Sequence, residues 1–188
     1  MKARSEASEA TTRRILDAAF KLFGESLFDQ VSLHDVATQA GVGVQTVLRH
    51  FASKELLFAA ATEWASPQIR AARQATAGDV AGVVRALVDT YERWGDEVLN
   101  FLAQEQRSAL MRATTDRGRN YHHFVVEQSF APQLARLPLF ERTRRLAQLI
   151  AVTDLYVWKV MRRDLGLSRD QTEDALRDLV IRLVEISV

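Results

Sequence analysis

The stretch Val31–Phe51, VSLHDVATQAGVGVQTVLRHF, constrains this chain more than any other. Leu33, Val36, Ala37 and Ala40 recur at i, i+3, i+4 and i+7, which places them on one side of a short helix. Ser32 before them and Asp35 three residues on predict a hydroxyl cap followed by an acid in the first turn. Gly41 marks the stop, where the backbone must turn left-handed and a side chain is penalised. Val42 is a single apolar plug. A second helix starts near Val44, with Val47, Leu48 and Phe51 on its apolar side and Gln45, Thr46 and Arg49 facing away. Two helices about a short Gly-containing turn, the second with a polar outer face, form the helix-turn-helix arrangement.

The flanks supply the rest of a small three-helix domain. Met1 to about Ala10 is polar and is expected to fray. Thr11 or Thr12 can cap a helix reaching about Phe23, whose stripe Ile15, Ala18, Ala19, Leu22 and Phe23 would pack on the motif, with Gly24 weakening its end. Phe28 and Val31 plug the connection. A fourth helix, capped by Ser53, carries Leu56, Leu57, Phe58, Ala60, Ala61 and Trp64. Ser66-Pro67 is expected to bend or end it, because proline disfavours the α region for its predecessor. The domain boundary falls there, giving 1–10, 11–66 (motif 32–51) and 67–188.

With these flanks the segment resembles the DNA-binding motif of the tetracycline-repressor (TetR) family of bacterial regulators. The matching pieces are TTRRILDAAFKLFGESLFDQVSL, the AGV turn, Thr46, the His50–Phe51 pair and Ser53-Lys54-Glu55. The likeness is close from Thr11 to Trp64; beyond it only an all-helical region of similar length corresponds, with VWKVMRRDLGLS also similar. The resemblance implies a homodimer that binds a double-stranded DNA operator and answers to a small-molecule effector.

A helix of this kind fits the major groove, and side chains in its first half reach base edges. Gln45 can read an adenine, and Arg49 a guanine or a phosphate. Thr46 and Lys54 are phosphate candidates, and His50 occupies a position that often meets the backbone in the family. Thr12, Arg13, Ser32, Val44 and Leu48 complete the DNA-contact set. Three positions depart from the family pattern: Gly43 stands for a serine or threonine cap, Val44 for a lysine or arginine, and Leu48 for a tyrosine. Each departure removes a backbone contact, so nonspecific binding is expected to be weak, while Val44 or Leu48 can meet a thymine methyl.

Charge does not argue for DNA by its amount. The chain carries a net +1, and within 1–55 seven cations equal seven acids. Placement carries the case, since Arg13 and Arg14 open the first helix and Arg49 and Lys54 lie at the second helix of the motif. With no cysteine there is no disulfide framework or thiolate site, which suits a cytoplasmic protein. The polar N-terminus is no signal peptide, and no apolar run approaches the ~20 residues of a membrane span.

From Pro67 onward the pattern is helical throughout. Asp79 to about Arg107 aligns Val80, Val84, Leu87, Tyr91, Trp94, Val98 and Phe101, with Gly95 as a kink point. Asp116 to about Leu137 is interrupted by Pro132. LAQLIAVTDLYVWKVM, Leu146–Met161, is apolar on most of its circumference, as expected for a helix buried on more than one side. Gly166 ends it, and Ser168 with Gln171 forms a capping box for a last helix. Ile150, Val157, Met161, Leu176, Leu179, Val180 and Leu183 then read as a dimer interface, a four-helix bundle across a two-fold axis.

Tyr91, Trp94, Phe101, Tyr121, Phe124 and Trp158 are candidates to line an effector pocket, although most aromatic residues in such a body are packed core. Asp154 shares the face of Ile150 and Val157, and a buried carboxylate there needs a dimer hydrogen bond, an arginine or a ligand. His122, His123 and Glu127 make a poor metal set, and no metal or cofactor is expected. No phosphate-binding Gly-rich loop, GxSxG or HExxH is present, so nothing in the sequence supports an enzyme. The expectation is an all-α protein: an N-terminal three-helix helix-turn-helix domain plus a C-terminal helical ligand-binding and dimerisation domain. Its function would be a repressor released by a small apolar ligand. The alternative keeps the helical body as a ligand-binding or protein-interaction module with a degenerate motif.

Overall fold

A computed structural model describes the backbone of residues 2–185 and the side chains of residues 6–185. The helices are α1 (Lys2–Glu25), α2 (Leu33–Ala40), α3 (Val44–Phe51), α4 (Lys54–Ala72), α5 (Val80–Gln104), α6 (Ala109–Ser129), α7 (Ala131–Leu134), α8 (Leu139–Val152), α9 (Leu155–Lys159) and α10 (Arg169–Glu185). A single 3-10 turn, Phe28–Gln30, links α1 to α2. No strand occurs among the described residues, and none of their helices is long and apolar enough to cross a membrane. The chain divides into two compact units, Met1–Gln68 with Asp96–Thr115, and Ile69–Gly95 with Asp116–Val188.

The first unit is built on aromatic rings. Phe58 is fully buried and meets Phe23 at 5.3 Å, Phe28 at 5.7 Å and Phe101 at 5.5 Å, in each case edge to face. That geometry sets the positive ring edge on the negative face and contributes about 0.5–1.5 kcal/mol per pair beyond burial. Ile15, Ala19, Val36 and Val47 close the core beneath the motif. The segment Asp96–Thr115 belongs here rather than to the C-terminal body, contrary to a boundary at 66/67. Phe101 and Met111 are buried in this core, and Asn100 Nδ2 donates to carbonyls at the end of α1 and just past it, Phe23 (3.1 Å) and Ser26 (2.8 Å).

Further expectations fail in this unit. Helix α1 starts at Lys2, not near Thr11, so residues 2–10 are helical (Met1 lies outside the described residues). The hydroxyls of Thr11 and Thr12 do not cap; they bond back to the carbonyls of Ala7 and Ser8, both at 3.0 Å. Helix α4 also continues through Pro67, which is exposed, so water can satisfy the carbonyl that loses its helical partner. Of the apolar residues that α4 carries, Leu56 is 58% exposed. Gly24 is needed for space rather than for ending a helix: a Cβ there would lie 2.3 Å from Glu97 Cγ.

The second unit packs Val83, Val84 and Val88 of α5 with Val126, Phe130, Leu149, Leu176 and Val180. Helix α5 is unbroken at Gly95. That glycine is there because a Cβ would come within 2.8 Å of the Trp158 ring. The run Leu146–Met161 is not one helix. Helix α8 ends at Thr153, and Asp154, with extended backbone (ψ 151°), caps α9 by accepting from the Tyr156 amide at 2.9 Å. Short polar side chains compete with the helical backbone in this way, and the apolar run hid the competition. A wide turn follows, in which the Leu165 amide reaches the Val160 carbonyl at 2.9 Å. Ser168 and Gln171 cap each other reciprocally at the start of α10 (2.8 and 3.1 Å).

A candidate nucleic-acid interface and a buried polar cluster

The motif is fixed at both ends by local chemistry. Ser32 Oγ accepts from the Asp35 amide (3.2 Å), and the Asp35 carboxylate accepts from the Ser32 amide (2.9 Å) and hydroxyl (2.6 Å). These bonds hold the Asp35 carboxyl below its ordinary value, the hydroxyl bond most of all. Gly41 takes φ 65°, ψ 42°, the left-handed stop that aims α3 away from α2. Helix α3 then buries Val47 completely and presents Gln45 and Arg49 to solvent, with Thr46 half-exposed. Gly43 precedes α3 without a side-chain cap, so its first amides are left for water or an anion.

The candidate DNA residues do not all stand in one role. Lys54 is not a free phosphate ligand: Nζ donates to the carbonyls of Phe28 (2.9 Å) and Val31 (3.1 Å) and sits 4.5 Å over the Phe28 ring. It staples the α1–α2 connection to the start of α4. Ser32 spends its hydroxyl on the capping box. Val44 is half-buried and packs on the core, and Leu48 is half-buried. His50 Nδ1 lies 3.2 Å from Thr12 Oγ1; since that hydroxyl already donates to Ser8, the ring N–H is the donor, and the pair braces α3 against α1. Arg13 is exposed and lies 4.0 Å from Glu9.

A cleft of about 640 Å³ opens beside the start of α3, lined by Val42, Gly43, Thr46 and Arg49 on one side and Ala7, Ser8 and Thr11 on the other. The α1 wall was missed because residues 1–10 read as frayed. The available signal was the Glu9–Arg13 spacing, an i, i+4 pair that extends the helix toward the N-terminus.

In the second unit the aromatic candidates separate. Phe101 lies in the other unit's core, and Phe124 is 58% exposed, so neither joins the rest. Trp158 is fully buried with Nε1 donating to Glu92 (2.9 Å), whose carboxylate also takes a bidentate pair from Arg162 (2.6 and 2.9 Å). Arg162 holds the Glu92 carboxyl below its usual value. Trp94 is buried under the Arg93 guanidinium, 4.3 Å from the ring centroid. Asp154 is neither a buried anchor nor an arginine partner; it is a helix cap.

Tyr91 and Tyr121 remain together with His122 and with Arg70 and Arg73, two residues that the sequence did not single out. Tyr91 is buried and donates to the Thr153 carbonyl (2.9 Å), and burial pushes its hydroxyl above its ordinary pKa. The Arg73 guanidinium lies 4.9 Å over the Tyr91 ring, and Arg70 lies 5.5 Å over Tyr121. His122 Nδ1 is 3.4 Å from Arg73 Nη1, and its Nε2 is 3.2 Å from the Ile150 carbonyl. Burial, reinforced by Arg73, pushes the His122 pKa down to about 4, so the ring is neutral near pH 7, accepting at Nδ1 and donating at Nε2. His123 is exposed and joins no metal set.

The dimer candidates also need correction. Leu176 and Val180 are buried in their own unit's core, and Ile150, Val157, Met161 and Leu183 pack against it. Of the seven, Leu179 alone is exposed, at 40%, and larger exposed side chains stand at Phe140 (77%) and Tyr156 (52%).

Residues 15–61 match the family model described as bacterial regulatory proteins, tetR family. A curated protein of Haemophilus influenzae, described as an uncharacterized HTH-type transcriptional regulator, is 31% identical over 131 residues. The match covers 66% of this chain and 64% of that relative. Among solved structures, a transcriptional regulator from Rhodococcus sp. RHA1 superposes with a TM-score of 0.65 at 21% identity, covering 94% of this chain and 99% of the other. The multidrug binding protein EbrR, complexed with imidazole, superposes with a TM-score of 0.59 at 21% identity over 94% and 90% of the two chains. The capped α2–α3 motif lies within the residues that match the tetR family of bacterial regulatory proteins, and the helical fold of the chain is that of these solved structures.

Proposed function

We propose that this protein is a sequence-specific DNA-binding transcriptional regulator, a homodimeric repressor whose operator binding is released by a small molecule. The observation that carries the reading is α3: an apolar-backed helix that follows a capped α2 and a left-handed glycine, with Gln45, Thr46 and Arg49 turned outward beside an open cleft. Helices of this build read base edges from the major groove while flanking groups hold phosphates. The α1 wall of the cleft adds Ser8 and Thr11 to the groups that can meet the backbone. Lys54, engaged inside the unit, is withdrawn from that role, which favours a weak nonspecific grip.

A ligand changes operator affinity only by binding one conformation better than another. Helix α4 contributes residues to both units, so a displacement at its C-terminal end can pass along it to the motif. That an apparent neighbour in fold, EbrR, is named for multidrug binding and was solved with imidazole supports a small-molecule role for the body. For the homodimer, α8 and α10 pack together and leave Phe140 and Leu179 exposed. A monomeric mass by light scattering at micromolar concentration would overturn the pairing.

Selection of bound fragments from random DNA tests the function directly. The expected result is a recurrent site, with half-sites spaced for two recognition helices, bound in a salt-dependent manner. Arg49→Ala should lower the slope of log affinity against log salt by about one if Arg49 holds a phosphate, or relax one base position if it reads a guanine. Failure to enrich any sequence would favour the alternative, a helical binding module with a degenerate motif.

A further inference from the structure

Arg73 is an arginine with too few partners. It follows the last residue of α4, half-buried, and its Nε is shielded from solvent with no hydrogen-bond partner. Its Nη1 donates to the Nδ1 of neutral His122, and the guanidinium also interacts with the Tyr91 hydroxyl, opposing the upward push of burial there. Among the described residues neither Arg73 nor Arg70 takes part in a salt bridge. Both guanidiniums instead lie over tyrosine rings. The Asp154 carboxylate acts electrostatically on Tyr91 and His122, but its Oδ1 is occupied by the Tyr156 amide. A half-buried guanidinium with no salt bridge, carrying an unmet N–H, gains when an anion supplies the missing partner.

The geometry also says what kind of anion. Stacking on Tyr91 orients the guanidinium plane, and with Nη1 on His122 the unmet N–H is that of Nε, on the Nε–Nη2 edge. That edge matches a planar carboxylate bidentately, a fit that a lysine point charge cannot reproduce. The neighbouring surface is aromatic: Tyr121 is half-buried beneath Arg70, which supplies a second positive charge at the rim. We propose that Arg73, supported by Arg70, anchors the carboxylate of a small aromatic or aliphatic acid whose apolar part lies against Tyr121 and Tyr91. In the ligand-free arrangement the Nε edge is covered, so the acid draws the guanidinium toward it. Differential binding then acts on the residues that end α4. This assignment rests on the small-molecule reading above and names the class of molecule.

The test uses the full chain without DNA and matched pairs of acid and primary amide: benzoate and benzamide, 1-naphthoate and 1-naphthamide, octanoate and octanamide. Calorimetry or tryptophan fluorescence reads binding. At least one acid should bind tenfold or more tightly than its amide, since a charge-assisted bidentate contact is about twice as strong as a neutral one. Arg73→Gln should erase that preference, and Arg73→Lys should keep part of it. The melting temperature of the Lys variant shows that the unit still folds, and Arg70→Gln on the exposed rim should weaken the acid less. Equal binding of acids and amides would overturn the proposal, as would no acid binding at about 1 mM. Retention of DNA selection by a protein that ignores every acid would sink the anion site alone. Loss of DNA selection with the acid preference intact would sink the regulator and leave the site standing.

Discussion

The two units are made of the same helices and differ in what their interiors contain. The core of the first is mostly rings and aliphatic side chains, Phe23, Phe58, Phe101, Ile15, Leu57 and Val47, and its buried polar residues Gln104 and Thr115 are hydrogen-bonded. The second buries Thr90, His122, Arg145, Thr153, Thr172 and Glu173 among its apolar residues. Every buried side-chain atom without a partner among the described residues lies in this second unit, on Arg73, Gln133, Arg145 and Thr172. An interior that is mostly apolar, with its few polar groups met, holds one packing, which suits a unit that presents a fixed helix. A polar interior with unmet groups sits further from its optimum and gains when a ligand supplies what is missing. The contrast therefore assigns rigidity to the first unit and response to the second.

The largest test of that contrast is Phe58→Ala. Removing a fully buried ring that touches three others should cost about 3–5 kcal/mol in urea unfolding. A loss below about 1 kcal/mol would mean that the ring cluster can collapse and is no rigid support. Next is pH. His122 is neutral in the folded state down to about 4, whereas the unfolded chain takes a proton near 6.5. The unfolded state thus binds more protons between these values, and stability is fully present above 6.5 and falls as pH drops toward 4. At pH 5 the loss should be about 2 kcal/mol, counting 1.36 kcal/mol per unit. The groups facing His122 are Arg73, His123 and Asp154. In His122→Asn this component of the pH dependence should disappear, and its persistence would move the titration elsewhere.

The small effects test the helices themselves. Gly118 lies exposed inside α6 with nothing within 4 Å of a Cβ, so Gly118→Ala should add about 0.5–1 kcal/mol by thermal unfolding. Gly43 has an extended backbone (φ −77°) and open space, so Gly43→Ser should gain a few tenths through the missing cap of α3. A destabilising result at Gly43 would show that its neighbourhood is tighter than the structure has it.

The legible part of this protein was the part written in nearest neighbours along the chain. Ser32, Asp35, Gly41 and the 3.6-residue recurrence of Val36, Ala37 and Ala40 each act within one or two turns, so the motif and its outward residues follow from sequence. Tertiary structure decided the rest. Lys54 became a staple because the carbonyls of Phe28 and Val31 came within its reach, and Phe101 joined the first unit because Phe58 offered it a face. Leu176 and Val180 turned inward because their own core had room for them, and Leu179 did not. The Arg73–Tyr91–His122 cluster joins residues 18 to 49 positions apart on three segments, and no periodicity records such a meeting. Hydrophobic pattern and capping are short-range terms that a sequence states openly. Which charged or aromatic group finds which partner depends on distances that exist only once the chain has packed.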